Sequence, residues 1–246
     1  MKGLLAVVML DLKRLWVDRV RLVSSLIQPL LYLFVLGSGL GASSTLGRTG
    51  YLHYIYPGVL GLSLLFSSVF AAMLIVFDRQ IGFLKAVLVA PIPRAAIALG
   101  KVLSGAIQAL VPASILLLLP LLHMNLSLPA LAELIGTMIL AAVTFSALGV
   151  ATAARFRSTT VFPIIGNAVL LPMFFLSGAL YPLDHAPVWL RMLAHVDPVT
   201  YAVDLMRGAV LDRYAYPPLL SLAVLLGFIV LLTWLATRVF AAGEDT

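Results

Sequence analysis

Long apolar runs alternate with short polar interruptions along this chain. Six runs cover residues 22–42, 54–77, 99–122, 130–153, 160–181 and 217–239. Each holds about 20 mostly apolar residues, the length a helix needs to cross the hydrocarbon core. Backbone groups in lipid need internal partners, and only helices or closed barrels supply them. The runs are continuous, whereas barrel strands alternate apolar and polar positions. The pattern predicts an all-α integral membrane protein with six transmembrane helices in one domain over 1–246.

The interruptions have patterns of their own. Within 3–21, Asp11, Arg14, Asp18 and Arg21 recur at spacings of three, four and three, which puts them on one stripe of a helix. Leu5, Val8, Leu12, Leu15 and Trp16 remain for the other side. Such a helix is expected to lie in the membrane interface rather than cross it. No small-x-small site separates its apolar start from Asp11, Lys13 and Arg14, so a cleaved signal peptide is not expected.

The second interruption, 78–98, begins DRQIGFLK and carries Arg79, Lys85 and Arg94 around an apolar AVLVAPI. The third, 182–214, is too long for a turn and too mixed to span. Pro187 follows Ala186 and Pro198 follows Asp197, and an Asp cap with Pro at the first helical position is a strong start signal. Asp204 and Arg207 then share a face, with Val199, Val203, Met206 and Val210 on the apolar one. Two short amphipathic helices are expected here. They either dip into the membrane and return or form a plain cap over it.

Composition agrees with the pattern: 62% of residues are hydrophobic and 11% charged, against about 25% charged in soluble domains. With no cysteine, disulfides and thiolate metal sites are excluded. The net charge of +6 reads as membrane orientation rather than as a nucleic-acid footprint. Twelve of the sixteen Lys and Arg fall in the N-terminal segment, the second-to-third and fourth-to-fifth connections and the C-terminal end; four fall on the other side. The positive-inside rule places both termini in the cytoplasm and 182–214 outside.

Several chemistries are missing. The nearest approach to a phosphate-binding G-x-x-x-x-G-K-[ST] loop, Ala95 to Val102, lacks its first Gly and final hydroxyl and enters an apolar helix. No H-E-x-x-H spacing occurs, and His53, His123, His185 and His195 fall in loops or near helix ends. Ser104 and Ser177 have small neighbours, but no His lies inside a span to act as base for an intramembrane hydrolase. The one acid inside a span is Glu133, and the polar residues at depth are the neutral Gln28, Gln108 and Asn167. A proton-coupled carrier would place ionisable groups at mid-bilayer, and a pore would show a charged ring or filter. The energy for any transport is therefore expected from another protein, with a partner-free carrier or channel as the alternative.

Two sets of residues resemble the membrane permease of type-2 ATP-binding-cassette exporters, the group that includes daunorubicin-type drug efflux permeases and nodulation-factor or polysaccharide export permeases. The first set is Asp78, Arg79, Gly82, Leu84, Pro91, Arg94, Gly100 and Lys101. The second runs Phe175 to Gly178, Tyr181-Pro182, Pro187, Trp189-Leu190, then Asp197-Pro198, Thr200-Tyr201, Asp204 and Arg207. The likeness covers nearly the whole chain. Phe83 and Lys85 depart from the small hydroxyl residue and Glu often found there, and Asp197 from the common Asn.

The resemblance implies a role for each stretch. Asp78, Arg79, Gly82, Phe83, Leu84 and Lys85 would belong to a coupling helix docked in a separate cytoplasmic ATPase, which holds ATP and Mg while this chain binds no cofactor and is not catalytic. The interfacial helix, with Asp11, Arg14, Trp16 and Asp18, would be a second contact. Two permease copies, partners in a homodimer by the family's pattern, would enclose a path lined by the first, second and fifth spans. Gln28, Tyr32, Asn167, Phe174 and Phe175 are its candidates, although Gln28 and Asn167 also suit plain helix–helix hydrogen bonds. Trp189, Asp197, Pro198, Tyr201, Asp204 and Arg207 mark the extracytoplasmic helices. The implied function is export of an amphipathic drug, lipid or lipid-linked glycan across a bacterial or archaeal cytoplasmic membrane.

Overall fold

A computed structural model describes residues 2–39, 47–82, 93–123, 126–156 and 158–242. Among these, α1 spans Lys2–Val17, α2 Arg19–Leu31, α3 Gly47–Ala71, α4 Met73–Gln80 and α5 Arg94–His123. Then come α6 at Leu128–Ala153, α7 at Val161–Leu176, α8 at Val188–Val196, α9 at Pro198–Leu211 and α10 at Pro218–Ala242. A π-helical turn, Tyr32–Leu36, extends α2, and a short 3₁₀ turn covers Leu183–His185.

Five stretches are long and apolar enough to cross a membrane: Val20–Gly39, Gly50–Gln80, Arg94–Leu119, Leu128–Ala153 and Pro218–Val239. They match five of the six expected spans. The sixth, expected over 160–181, is shorter: α7 has 16 residues, about 24 Å at 1.5 Å per residue. Its end is set by Ser177, whose hydroxyl turns back to the Phe174 carbonyl at 2.7 Å, and by Gly178 at φ 73°. Only glycine takes that left-handed conformation without strain, so the chain leaves the helix there.

The N-terminal helix also differs from expectation. Residues 3–21 do not form one helix, because Asp18 leaves helical geometry (φ −89°, ψ 67°) and its carboxylate accepts the Arg21 N–H at 3.1 Å. Asp18 thus caps α2, and Arg21 belongs to the first turn of the next helix. Further along α2, Pro29 supplies no N–H to the ladder, and the helix widens into the π turn just after it.

The centre of the molecule is α6, which packs against α3, α5, α9 and α10. Small residues let these backbones approach. A Cβ on Gly149 would lie 2.8 Å from the Val69 Cα, and one on Gly105 would collide with the Ser146 hydroxyl. Ser68 donates to the Ala142 carbonyl at 3.3 Å and Ser146 to Val102 at 2.7 Å, so polar groups also bind helix to helix. The Gly50–Gln80 span is 78% buried, but Val20–Gly39 and Pro218–Val239 only 17% and 22%. The α2 and α10 faces are therefore the outer walls, presenting Val23, Ile27 and Phe34 on one and Leu219, Val230 and Trp234 on the other.

Candidate functional site

Three helices converge at one end of the bundle. Lys101, in the second turn of α5, points its ammonium at two carboxylates: Asp11 of α1 at 3.0 Å and Asp78 of α4 at 3.2 Å. Arg14 donates to the other oxygen of Asp78 at 2.8 Å, and the Ser104 hydroxyl to the other oxygen of Asp11 at 2.9 Å. Asp11 and Arg14 are one helical turn apart, as are Lys101 and Ser104, so each helix presents both its members on one face. Gly100 permits the approach, since a Cβ there would stand 3.1 Å from Val7 of α1. Both carboxylates are only 1% exposed, which makes the cluster internal.

This geometry corrects the placement of Asp11. Expected on the polar stripe of an interfacial helix, it lies on the buried face of α1 with Val7, Val8 and Leu15. Trp16 is the outward residue of that helix, at 78% exposure. Asp78, expected on a surface for another protein, is likewise turned inward. Its neighbour Arg79 donates to the carbonyls of Ala154 and Phe156, both at 3.0 Å, and so binds the C-terminal end of α6. Gly82 sits at φ 76° two residues past α4, with its N–H on the Arg79 carbonyl at 3.2 Å, and redirects the chain. Phe83, Leu84 and Lys85 lie outside the described residues.

At the opposite end the expected extracytoplasmic residues form a second network. Two helices are present as read, α8 and α9. Asp197 accepts the Val199 N–H at 2.9 Å and Pro198 opens α9, as the sequence predicts. The other Asp197 oxygen is buried with no hydrogen-bond partner among the described residues. Burial pushes this carboxyl up to about 7, with the Val199 bond pulling the other way.

Asp204 and Arg207 share α9 but hold different loops. Asp204 accepts the N–H groups of Ala215 and Tyr216 at 2.7 and 3.2 Å, fixing the entry to α10. Arg207 donates to the Gly178 and Ala179 carbonyls at 3.0 and 3.3 Å and lies 4.1 Å over the Tyr54 ring. The Tyr201 hydroxyl donates to His195 at 2.8 Å and fastens α9 to α8. On α8, Trp189 is exposed beside Val188, Met192, Leu193 and Val196, so one face of that helix is apolar and uncovered.

The expected path residues separate into three places. Tyr32 meets Phe174 edge-on with centroids 5.9 Å apart, and Phe174 meets Phe175 at 5.6 Å. Phe174 is fully buried and Phe175 half exposed. Asn167 is exposed on α7. One turn before Tyr32, Gln28 lines a separate cleft of about 270 Å³ between α2, α3 and α5. Gln108 and Ser63 line the same cleft, and neither was an expected path residue. The sequence signal for Gln108 was its isolation among apolar residues; Ser63, a small hydroxyl in a span, carried none. Among the described residues, no group of three or more His, Asp or Glu side chains is placed to hold a metal.

Comparison with known proteins adds one family match and three relatives. The family model described as ABC-2 type transporter matches residues 2–211. The chain is 30% identical over 211 residues to the putative transport permease ycf38 of Cyanophora paradoxa, covering 79% of this chain and 71% of that one. It is 28% identical over 202 residues to nodulation protein J of Rhizobium leguminosarum bv. trifolii, covering 78% and 74%. It is 27% identical over 225 residues to the inner membrane transport permease YadH of Escherichia coli K12, covering 88% and 85%.

Proposed function

Because the chain belongs to the ABC-2 type transporter family, as a transport permease by its relatives, we propose that it is the membrane subunit of an ATP-driven exporter. Two copies pair, and each engages a separate cytoplasmic ATPase that holds the ATP and Mg. The cargo is an amphipathic drug, lipid or lipid-linked glycan.

The observation that carries this reading is the ion cluster. Asp78 precedes the segment 83–92 and Lys101 follows it, and the two side chains meet at 3.2 Å. A partner pushing on that segment would act on a base whose two sides are joined. Through Asp11, the same junction takes hold of α1. Through Arg79, it takes hold of α6. A displacement applied at one place is thereby delivered to α1, α4, α5 and α6 together. That is what coupling to an external motor requires, since packed elements move as units rather than deform.

The rest follows from charge and cover. The end bearing Arg14, Arg79 and Lys101 faces the cytoplasm by the positive-inside rule. The exposed Trp16 suits a helix resting in that interface, and the apolar face of α8 suits the opposite one. Tyr32 and Phe175, at the loosely covered α2 and α7 and backed by the buried Phe174, suit the apolar part of a cargo. An inner membrane location is in keeping with the printed description of YadH.

The test is to purify the tagged chain from native membranes in mild detergent and identify what accompanies it. A stoichiometric soluble protein bearing a G-x-x-x-x-G-K-[ST] loop supports the exporter. A chain that emerges alone from several detergents, and transports in vesicles without ATP, makes it a partner-free carrier instead.

A further inference from the structure

The cleft between α2, α3 and α5 is not explained by the packing of those helices. It measures about 270 Å³, and its polar lining includes Arg21, Ser24, Gln28, Ser63, Ser67 and Gln108. Gln108 is 4% exposed and Ser63 1%, yet the Gln108 amide oxygen and the Ser63 hydroxyl have no hydrogen-bond partner among the described residues. A buried acceptor without a donor carries a desolvation penalty that a filled site would remove. The Ser24 hydroxyl gives its proton to the Val20 carbonyl at 2.8 Å and so faces the cleft as an acceptor.

Arg21 lines the cleft within electrostatic reach of Asp18 and Asp11. It forms no ion pair within 4 Å among the described residues. Asp18 spends a carboxylate oxygen on the Arg21 backbone N–H at 3.1 Å, and Asp11 is committed to Lys101 and Ser104. A guanidinium fork therefore stands beside a row of acceptors. One wall is apolar, with Phe66 and Phe70 rings 5.9 Å apart. The other is α2, the outer helix.

We propose that this cleft holds the head group of an anionic amphiphile whose anionic centre pairs with Arg21 and whose neighbouring hydroxyl or amide hydrogens meet Gln108 and Ser63. The apolar tail lies against Phe66 and Phe70. This names a cargo chemistry for the exporter proposed above and rests on that reading only for the word cargo. Binding itself is a property of the chain. Phosphatidylglycerol has the required pattern, a phosphodiester flanked by hydroxyls. Phosphatidylcholine has no head-group donor and serves as the control.

The full chain in nanodiscs is photolabelled with a diazirine phosphatidylglycerol in the bilayer, or with a water-soluble diazirine glycerophosphoglycerol, which has no acyl chain, added to phosphatidylcholine discs. Labelled peptides are mapped by mass spectrometry. The expected result is label on residues 21–29 and 62–70 at about tenfold over a diazirine phosphatidylcholine, the preference that two hydrogen bonds from the head-group hydroxyls to Gln108 and Ser63 supply when both lipids carry the phosphodiester. It falls to the control level in Arg21→Gln and in Ser67→Phe, which fills the cleft. Both variants are read only as monodisperse protein. Label from the bilayer probe alone names membrane lipid as the source; label from the aqueous probe alone names a solute. Equal labelling by phosphatidylcholine, or labelling unchanged in both variants, overturns the proposal. The purified chain suffices, so a failed cleft leaves the ATPase co-purification result standing, and the reverse also holds.

Discussion

Asp78 and Lys101 stand 3.2 Å apart across a sequence separation of 23 residues. Between them in sequence lies the stretch for which contact with an ATPase is proposed above. The pair joins the end of α4 to the second turn of α5, and Asp11 and Arg14 tie α1 to the same point. Removing Lys101 leaves two buried carboxylates facing each other with Arg14 alone to compensate. Breaking a buried pair on one side costs about 3–5 kcal/mol. Lys101→Met is therefore expected to lower the detergent melting temperature sharply, and Lys101→Met with Asp11→Asn to recover part of the loss. A melting curve for Lys101→Met that overlays the parent would remove the cluster from any structural account.

Gly82, two residues past α4, has a positive φ of 76°, and among the described residues nothing lies within 4 Å of where its Cβ would be. Gly82→Ala then costs only the backbone term, about 1 kcal/mol. Proline cannot adopt a positive φ at all. Gly82→Pro is expected to abolish cargo-stimulated ATPase activity of the assembled complex while the chain still inserts and purifies. Parent-level stimulation in that variant would refute the coupling role of the segment.

Asp197 sets a pH dependence whose sign follows from burial. Its folded value of about 7 exceeds the ordinary 3.8, so the folded state binds the proton more tightly than the unfolded one. Its contribution to stability is complete below about pH 4, is lost as pH rises toward 7, and stays lost above. Asp197→Asn keeps an acceptor for the Val199 N–H and has no charge to bury. The variant's melting temperature is expected to gain on the parent's between pH 5 and pH 8. Parallel pH profiles would show that the carboxyl is solvated in the folded protein.

Gly149 and Gly136 lie on the same helix and make opposite predictions. A Cβ at Gly149 meets the Val69 backbone at 2.8 Å, whereas one at Gly136 meets nothing within 4 Å. Gly149→Ala is expected to cost about 1–3 kcal/mol by forcing α3 from α6. Gly136→Ala is expected to be neutral or to stabilise by up to about 1 kcal/mol through helix propensity. Thermal shifts of equal size at the two positions would count against the α3–α6 packing.

How much of this was legible in the sequence depends on the range of the interaction. Helices α5, α6 and α10 follow their apolar runs closely, because lipid leaves the backbone no other choice. The Asp197-Pro198 start of α9 is local chemistry and reads directly. The end of α7 was hidden, since Ser177 and Gly178 interrupt an apolar run without changing its hydropathy. The turn lies in one left-handed residue. The ion cluster was harder. Periodicity placed Asp11 and Arg14 on a common stripe, but which way that stripe faces depends on Lys101, 90 positions away. Single-helix patterns also put Asp204 and Arg207 side by side. Each instead reaches a different loop, through contacts no spacing rule contains.

The short α7 has a mechanical meaning for the bilayer itself. A helix of about 24 Å cannot match a hydrocarbon layer of about 30 Å, so the lipid beside it must thin or the helix must draw its neighbours' polar ends inward. In the exporter proposed above, such thinning would fall beside the exposed Phe175 and Asn167. A polar head crossing on that flank of the proposed exporter would travel a shorter distance through oil. Transport measured in vesicles of graded acyl length should then fall less steeply with thickness than in a variant whose α7 is lengthened by one turn.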